Sequence, residues 1–484
     1  MPSLVTSSPA TLLAIILGKT TSLLSRRLRL GGGTNFPGAL ARRVAPGILH
    51  TLTTALPQGV TLLSGTNGKT TTTRMIAELL RADGRRVLHN RAGANLISGL
   101  TATALAQSDL QGQPRADIGL FETDEAALPQ AIVETQPRLV LIHNLFRDQL
   151  DRYGEVDSIA TTWQRALVTL PATTTVALNA DDPAVVALGA GLTAQVCYYG
   201  LDDPRHATGS AAHIADSQFC RRCGARYEYT LAFYAHIGHY ACPRCSHRRP
   251  EPQVRLARLD LHGAEGSRLF VTYPGGALEL NIPLPGLYNA FNALAATAAG
   301  LALAVSPARI RTTLEHFSAA FGRIERLQAG PDGAPLLIAL IKNPVGASET
   351  VRMLVEQTRL EAVEAAAARH QPAKLHLLVA INDRFADGTD VSWLWDADFE
   401  PLAGRVARAT VSGTRAADMA VRLKYAGINP TQLNIVSDVA DAIDTALATL
   451  PKGVTLYILP TYTAMLDLRA DLARRGWVRQ FWED

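Results

Sequence analysis

At 484 residues the chain exceeds what one ordinary core organises, so two or three domains are expected. Apolar residues make up 47% and charged residues 19%, which excludes a disordered chain. The net charge of +4 comes without a long basic run; this argues against a nucleic-acid binder and suits an anionic substrate.

Residues 1–50 read as a helical, amphipathic segment around "LLAIILG" (12–18). That run is far shorter than the roughly 20 apolar residues a bilayer-spanning helix needs. Its positive charges follow rather than precede it, unlike a secretory signal. It is expected to pack on the body of a cytoplasmic protein or to lie along the inner face of a membrane.

From residue 51 to 326 apolar runs alternate with amphipathic ones. "VTLLS" (60–64), "DIGLF" (117–121), "RLVLI" (138–142) and "TVALN" (175–179) read as strands. After the first, "KTTTTRMIAELLRADG" places Met75, Ile76, Leu79 and Leu80 on one helical face, with Gly84 as a stop. Such alternation predicts an α/β fold with a parallel sheet and ligands at the carboxyl ends of its strands.

Between strand and helix lies "SGTNGKTTT". A loop entering a helix N-terminus offers backbone N–H groups and dipole charge to a phosphate. Gly65, Thr66, Asn67, Gly68, Lys69, Thr70 and Thr71 form the expected ATP cradle, with Lys69 reaching the β- and γ-phosphates and Thr70 coordinating Mg²⁺. The leading glycine of the common phosphate-loop pattern is replaced by Leu63.

Residues 216–250 break the rhythm with an insertion rich in Cys, His, Arg and Tyr. Cys220, Cys223, Cys242 and Cys245 have the spacing of a four-thiolate zinc ribbon, and four soft ligands leave no position for water, so the zinc is expected to be structural. His236, His239 and His247 are expected beside the site or on the surface rather than in it. Cys197 reads as a buried strand thiol. The Gly- and Pro-rich "LQAGPDGAP" (327–335) marks a domain boundary. Beyond it, five further strand candidates predict a smaller, Rossmann-like α/β domain over 327–484.

The phosphate loop resembles that of the Mur ligase superfamily, ATP-dependent amide-forming ligases that activate a carboxylate as an acyl phosphate. Further matches follow in chain order. Glu122 in "FETDE" stands where the family keeps a Mg²⁺-binding glutamate, and "LNADDP" (178–183) resembles its Asn-x-Asp-Asp stretch. "GLYNAFNALAA" (286–296) places Asn289 and Asn292 at nucleotide-contacting positions, and "GRIE" (322–325) places Arg323 at a phosphate-contacting one. There are departures. Gln149 replaces a histidine that ligates a second Mg²⁺, no counterpart of the carbamylated lysine is found, and "IKNPVG" (341–346) replaces an aspartate-led amino-acid motif.

With "NDRFADGTDVSWLWDADFE" (382–400) and "SGTRAADMAVRLKYAG" (412–427), the chain resembles the MurT family, synthetase subunits of lipid II isoglutaminyl synthase. The resemblance implies a heterodimer with a GatD-type glutamine amidotransferase and lipid II as substrate at the inner membrane face. It also implies that Asp390 completes the partner's Cys–His pair. By residue chemistry alone, in the turn-rich "ADGTD", Asp390 reads first as a turn or N-cap aspartate. Asp383, Asp387, Asp396 and Asp398 compete for the role, while Trp393 and Trp395 are expected to pack. The implied reaction is amidation of the D-glutamate α-carboxylate to D-isoglutamine, using ATP, Mg²⁺ and ammonia released from glutamine. The competing readings are a stand-alone Mur or folylpolyglutamate-type ligase that adds an amino acid, and a nucleotide-gated binding module.

Overall fold

The computed structural model describes residues 8–27, 35–90, 93–147, 155–208, 217–263, 265–318, 324–329, 333–367 and 374–478. The N-terminal segment forms α1 (Pro9–Arg27), α2 (Phe36–Val44) and α3 (Ile48–Thr54). Ala14 and Ile15 are fully buried, and Lys19 Nζ donates to the carbonyls of Leu105 and Ser108. The opposite face of α1 leaves Leu12, Leu13, Ile16, Leu23 and Leu24 exposed. Among the described residues no helix is long and apolar enough to cross a membrane.

The alternating pattern then gives β1 (Val60–Ser64), α4 (Lys69–Ala82), β2 (Val87–His89), α5 (Ile97–Ala106), β3 (Ile118–Glu122), α6 (Leu128–Thr135), β4 (Leu139–Ile142), α7 (Glu155–Leu167), β5 (Thr175–Asn179), α8 (Pro183–Ala187) and β6 (Gln195–Leu201). The insertion forms a separate hairpin, β7 (Glu228–Tyr234) and β8 (Ile237–Ala241). The main sheet resumes with β9 (Val254–Leu261), β10 (Ser267–Tyr273) and β11 (Gly276–Ile282), followed by α9 (Leu287–Ala302) and α10 (Pro307–Glu315).

The order β11-β10-β9-β6-β5-β4-β1-β3-β2 is parallel from β9 to β2, with β10 and β11 antiparallel at the far edge. Successive strand residues face opposite sides. Leu63 therefore packs with Met75, Ile76, Leu79, Leu80 and α9, while Val60 and Leu62 pack with α1, α3 and α5–α7. Each such fully buried aliphatic side chain contributes about 1.5–3 kcal/mol. The expected strands and the apolar face of α4 are where the periodicity placed them.

A second sheet contains β12 (Ile324–Ala329), β13 (Ala334–Ala339), β14 (Leu375–Ala380), β15 (Val406–Ser412), β16 (Leu433–Ile435) and β17 (Leu456–Pro460), in the order β12-β13-β17-β14-β15-β16. Its helices are α11 (Pro344–Ala367), α12 (Trp393–Asp396), α13 (Ala416–Tyr425), α14 (Val439–Ala448) and α15 (Tyr462–Arg474). The described ends of the Gly- and Pro-rich stretch belong to one sheet, because Leu327 of β12 pairs with Leu336 of β13. The change of sheet falls before Ile324.

Candidate active site

The site gathers at the carboxyl ends of β1, β3 and β4, where a parallel sheet binds ligands. β1 leads through Gly65–Gly68 into α4, whose first-turn amides lack intrahelical acceptors. Gly68 caps the helix with φ +83°, and a Cβ there would lie 2.1 Å from Asn292 Oδ1 and 2.8 Å from His143 Cδ2. The loop is thus a cradle that only glycine permits at this point. Gly68→Ala is expected to lose about 1–2 kcal/mol from the left-handed backbone alone. It should also abolish the rise in melting temperature on adding ATP and Mg²⁺.

Lys69 is 9% exposed, and its Nζ pairs with Glu125 Oε1 at 2.7 Å. Thr70 Oγ1 lies 3.2 Å from Glu122 Oε1, so the two oxygens assigned to Mg²⁺ converge. Glu122 is fixed by Asn90, which donates to its carbonyl and accepts its N–H, each at 2.9 Å.

Asn292 donates to Asn289 Oδ1 at 3.1 Å, which turns its own Oδ1 toward His143 Nε2 at 2.8 Å and Thr72 Oγ1 at 3.3 Å. The His143 ring therefore donates through Nε2, while Nδ1 faces the Tyr199 hydroxyl at 2.9 Å. Burial lowers the His143 pKa to about 4, so the ring is neutral at pH 7. Asn144 braces the loop by accepting from Asn67 N–H at 2.8 Å. Sequence reasoning missed His143, Asn144 and Glu125; the first two directly follow β4, at the strand end where ligands bind.

The second sheet reaches this loop. Asn343, fully buried, donates to Asn67 Oδ1 at 2.9 Å and caps α11 by accepting from Gly346 N–H at 2.8 Å. Asn67 Nδ2 is buried without a hydrogen-bond partner among the described residues, leaving its two N–H donors for a ligand. Free donors, a helix N-terminus, a lysine and a Thr–Glu oxygen pair fit a nucleotide phosphate with its divalent cation. Arg323 and Gln149 lie outside the described residues.

The four cysteine sulfurs lie within 4.8 Å of one another. Cys223–Cys242 and Cys220–Cys245 are 3.3 and 3.6 Å apart, close to the edge of about 3.8 Å in a tetrahedron with zinc–sulfur bonds of about 2.3 Å. Two histidines stand apart from this cluster: His236 is buried 3.3 Å from Asp182, and His239 bonds the Leu201 carbonyl. His247 lies beside it, its Nδ1 3.9 Å from Cys220 Sγ and 2.6 Å from the Tyr227 hydroxyl.

Asp390 is exposed on the loop after β14, accepting from Ser392 N–H at 2.8 Å. Hydrogen bonds from the Ser392 hydroxyl and amide hold its carboxyl below the usual range. Two competing aspartates are engaged elsewhere: Asp383 with Thr414 at 2.7 Å and Asp387 with the Thr463 N–H at 2.7 Å. Trp393 is buried as expected, but Trp395 is 55% exposed and meets Tyr425 edge-on at 5.7 Å. Phe385, in the same loop as Asp390, is 97% exposed.

A phosphate loop on a parallel sheet, joined by a second α/β unit, defines the Mur ligase fold. Residues 63–236 match the Mur ligase middle domain and residues 340–465 match the MurT ligase C-terminal domain. Among solved structures, the fold is similar to a pseudomurein peptide ligase type C from Methanothermus fervidus (TM-score 0.63, 19% identity, covering 86% of this chain and 79% of that one). It is also similar to MurF ligase from Thermotoga maritima in complex with ADP (TM-score 0.60, 12% identity, 90% and 85% covered). The chain is 33% identical over 472 residues to the lipid II isoglutaminyl synthase (glutamine-hydrolyzing) subunit MurT of Streptococcus pneumoniae, covering 97% of this chain and 98% of that one. It is 32% identical over 466 residues to the same subunit of Staphylococcus aureus strain COL, covering 95% and 97%. The chain belongs to the MurT family.

Proposed function

We propose that the chain is the ATP-dependent synthetase subunit of a lipid II isoglutaminyl synthase, working with a GatD-type glutaminase. The observation that carries this reading is the double reach of the second α/β unit. Its Asn343 holds Asn67 of the nucleotide loop, while the loop after β14 exposes both the Asp390 carboxylate and the Phe385 ring. An exposed aromatic ring and an exposed carboxylate on one loop suit a protein partner.

Within this reading, Gly65–Thr71, Asn289 and Asn292 position ATP, and Lys69 exchanges Glu125 for phosphate oxygens. Thr70 and Glu122 hold Mg²⁺, which when bound offsets charge on the transferring phosphoryl group. The α-carboxylate of the stem-peptide D-glutamate becomes an acyl phosphate, and ammonia displaces phosphate. Asp390 accepts from the partner's catalytic histidine, fixing its tautomer and stabilising the imidazolium. Arg323 is assigned to the phosphates by resemblance.

Reconstituting the chain with a GatD-type subunit, lipid II, ATP, Mg²⁺ and glutamine tests the reading by mass spectrometry of the stem peptide. The expected product carries one amide in place of a carboxyl. Ligation of a free amino acid by the chain without a glutaminase would favour the stand-alone ligase instead.

The four cysteines are assigned a structural zinc. Elemental analysis should find about one zinc per chain, falling to near zero in Cys223→Ser with a lowered melting temperature. Retention of the metal in that variant would overturn the assignment.

A further inference from the structure

Glu349 belongs to neither the nucleotide cradle nor the Thr70–Glu122 oxygen pair, yet it stands at a junction. It lies on α11, nearly two turns beyond the Asn343 cap, and is 6% exposed. It lines three cavities at once. The first, of about 80 Å³, also touches Asn67, Gly68, His143 and Lys342. The second, of about 450 Å³, runs past Arg205 and Asp260. The third, of about 720 Å³, passes Tyr234 and Trp395 and reaches Asp396 and Asp398, a few residues beyond Asp390.

A carboxylate taken out of water is costly without hydrogen bonds. Among the described residues, the one ion pair of Glu349 is with Arg352 at 3.9 Å. That guanidinium donates instead to the Phe233 and His206 carbonyls at 2.7 and 2.9 Å. Burial pushes the Glu349 carboxyl up to about 6, with Arg352 opposing. Facing it are Arg352 on its own helix, Lys342 ahead of that helix, Tyr234 of β7 and the neutral His143 after β4. Farther across the second and third cavities stand Arg205, Asp260, Asp398 and Arg422.

We infer that Glu349 is the proton acceptor for the nitrogen nucleophile, receiving ammonia where the large cavities meet the small one beside the nucleotide loop. The inference rests on the amidation reading above. A cavity of 80 Å³ has room for a handful of water-sized molecules, which suits ammonia. Ammonia attacks the carbonyl carbon of the acyl phosphate, forming the C–N bond while the carbonyl pair moves to oxygen. The cationic nitrogen then gives one proton to the Glu349 carboxylate. The carbonyl re-forms, the C–O bond to phosphate breaks, and phosphate leaves with that electron pair. Glu349 returns the proton to solvent through the larger cavities. The acceptor must be ionised, so activity governed by Glu349 falls as pH drops through about 6.

The test uses the full complex with lipid II, ATP and Mg²⁺, driven either by glutamine or by ammonium chloride. Glu349→Gln is expected to slow amidation roughly 10²-fold or more with either nitrogen source, the range for loss of a proton-transfer group. It should also remove the acid limb of the pH profile. Glutamine hydrolysis and the ATP-induced melting shift should be unchanged, and Glu349→Asp should restore part of the rate. Amidation within about 3-fold of wild type, with the acid limb intact, would overturn the inference. If Glu349→Gln does not fold, Glu349→Asp carries the test: it should weaken ammonium-driven turnover while sparing glutamine hydrolysis, and unchanged kinetics would overturn the inference. Absence of amide product from the wild-type complex would instead sink the amidation reading itself.

Discussion

Lys69→Ala is expected to eliminate amidation by the complex from both glutamine and ammonium while leaving the fold intact. Lys69 sits at the first position of α4, and its ammonium already lies among the groups that would surround the phosphates, with Glu125 Oε1 at 2.7 Å. Removing a preorganised charge aimed at the transferring group costs on the order of 10²–10³-fold, or about 2.7–4 kcal/mol. A further effect adds to this here. Truncation leaves the Glu125 carboxylate without its cation in a cleft meant for phosphate, so the like-charge penalty falls on nucleotide binding as well. Glutamine hydrolysis by the partner should persist, since Lys69 lies in the nucleotide domain. The measurement is product amide alongside the ATP-induced melting shift. A variant retaining more than about a tenth of wild-type amidation would remove Lys69 from the phosphoryl-transfer step.

How much of this site was legible before the structure depended on whether the signal was local. β1, the Gly68 turn and the apolar face of α4 are encoded within some twenty-five residues, where strand, turn and helix periodicity agree. The cysteine cluster was legible for the same reason, because its two short loops are fixed by spacing. Residues that act through long-range contact carried no such mark. His143 touches Asn292 across 149 positions, and Asn343 reaches Asn67 across 276. Nothing periodic in "IKNPVG" announces a bond to the phosphate loop. Gly and Pro punctuate hairpins as readily as linkers, so the composition of 327–335 does not by itself tell a domain boundary from the connection between β12 and β13. Trp395 packs against Tyr425 and Arg422, which does not require its ring to be covered. Glu349 was invisible for a different reason: an isolated Glu in a helix reads as a solvated side chain until burial says otherwise.

Asp390→Asn separates the two half-reactions. The variant should lose glutamine hydrolysis and glutamine-driven amidation while amidation fed by ammonium stays near wild type. The carboxylate is the group that matters, because an amide at this position can no longer hold the partner's imidazole in the right tautomer or offset the imidazolium charge; in a triad this substitution costs roughly 10⁴-fold. The surroundings favour a clean result. Asp390 is exposed, and its one described backbone bond is to Ser392 N–H, which an asparagine Oδ1 also accepts. A turn aspartate would behave differently, since replacement by Asn would keep the turn and leave both nitrogen sources equally effective. The competitors supply the control. Asp383 and Asp387 are tied to Thr414 and Thr463 inside the domain, so Asp387→Asn should lower the melting temperature by weakening that contact without splitting glutamine from ammonium. Glutamine-driven turnover that persists in Asp390→Asn would return Asp390 to the turn it caps and require the partner's histidine to be served by another acid.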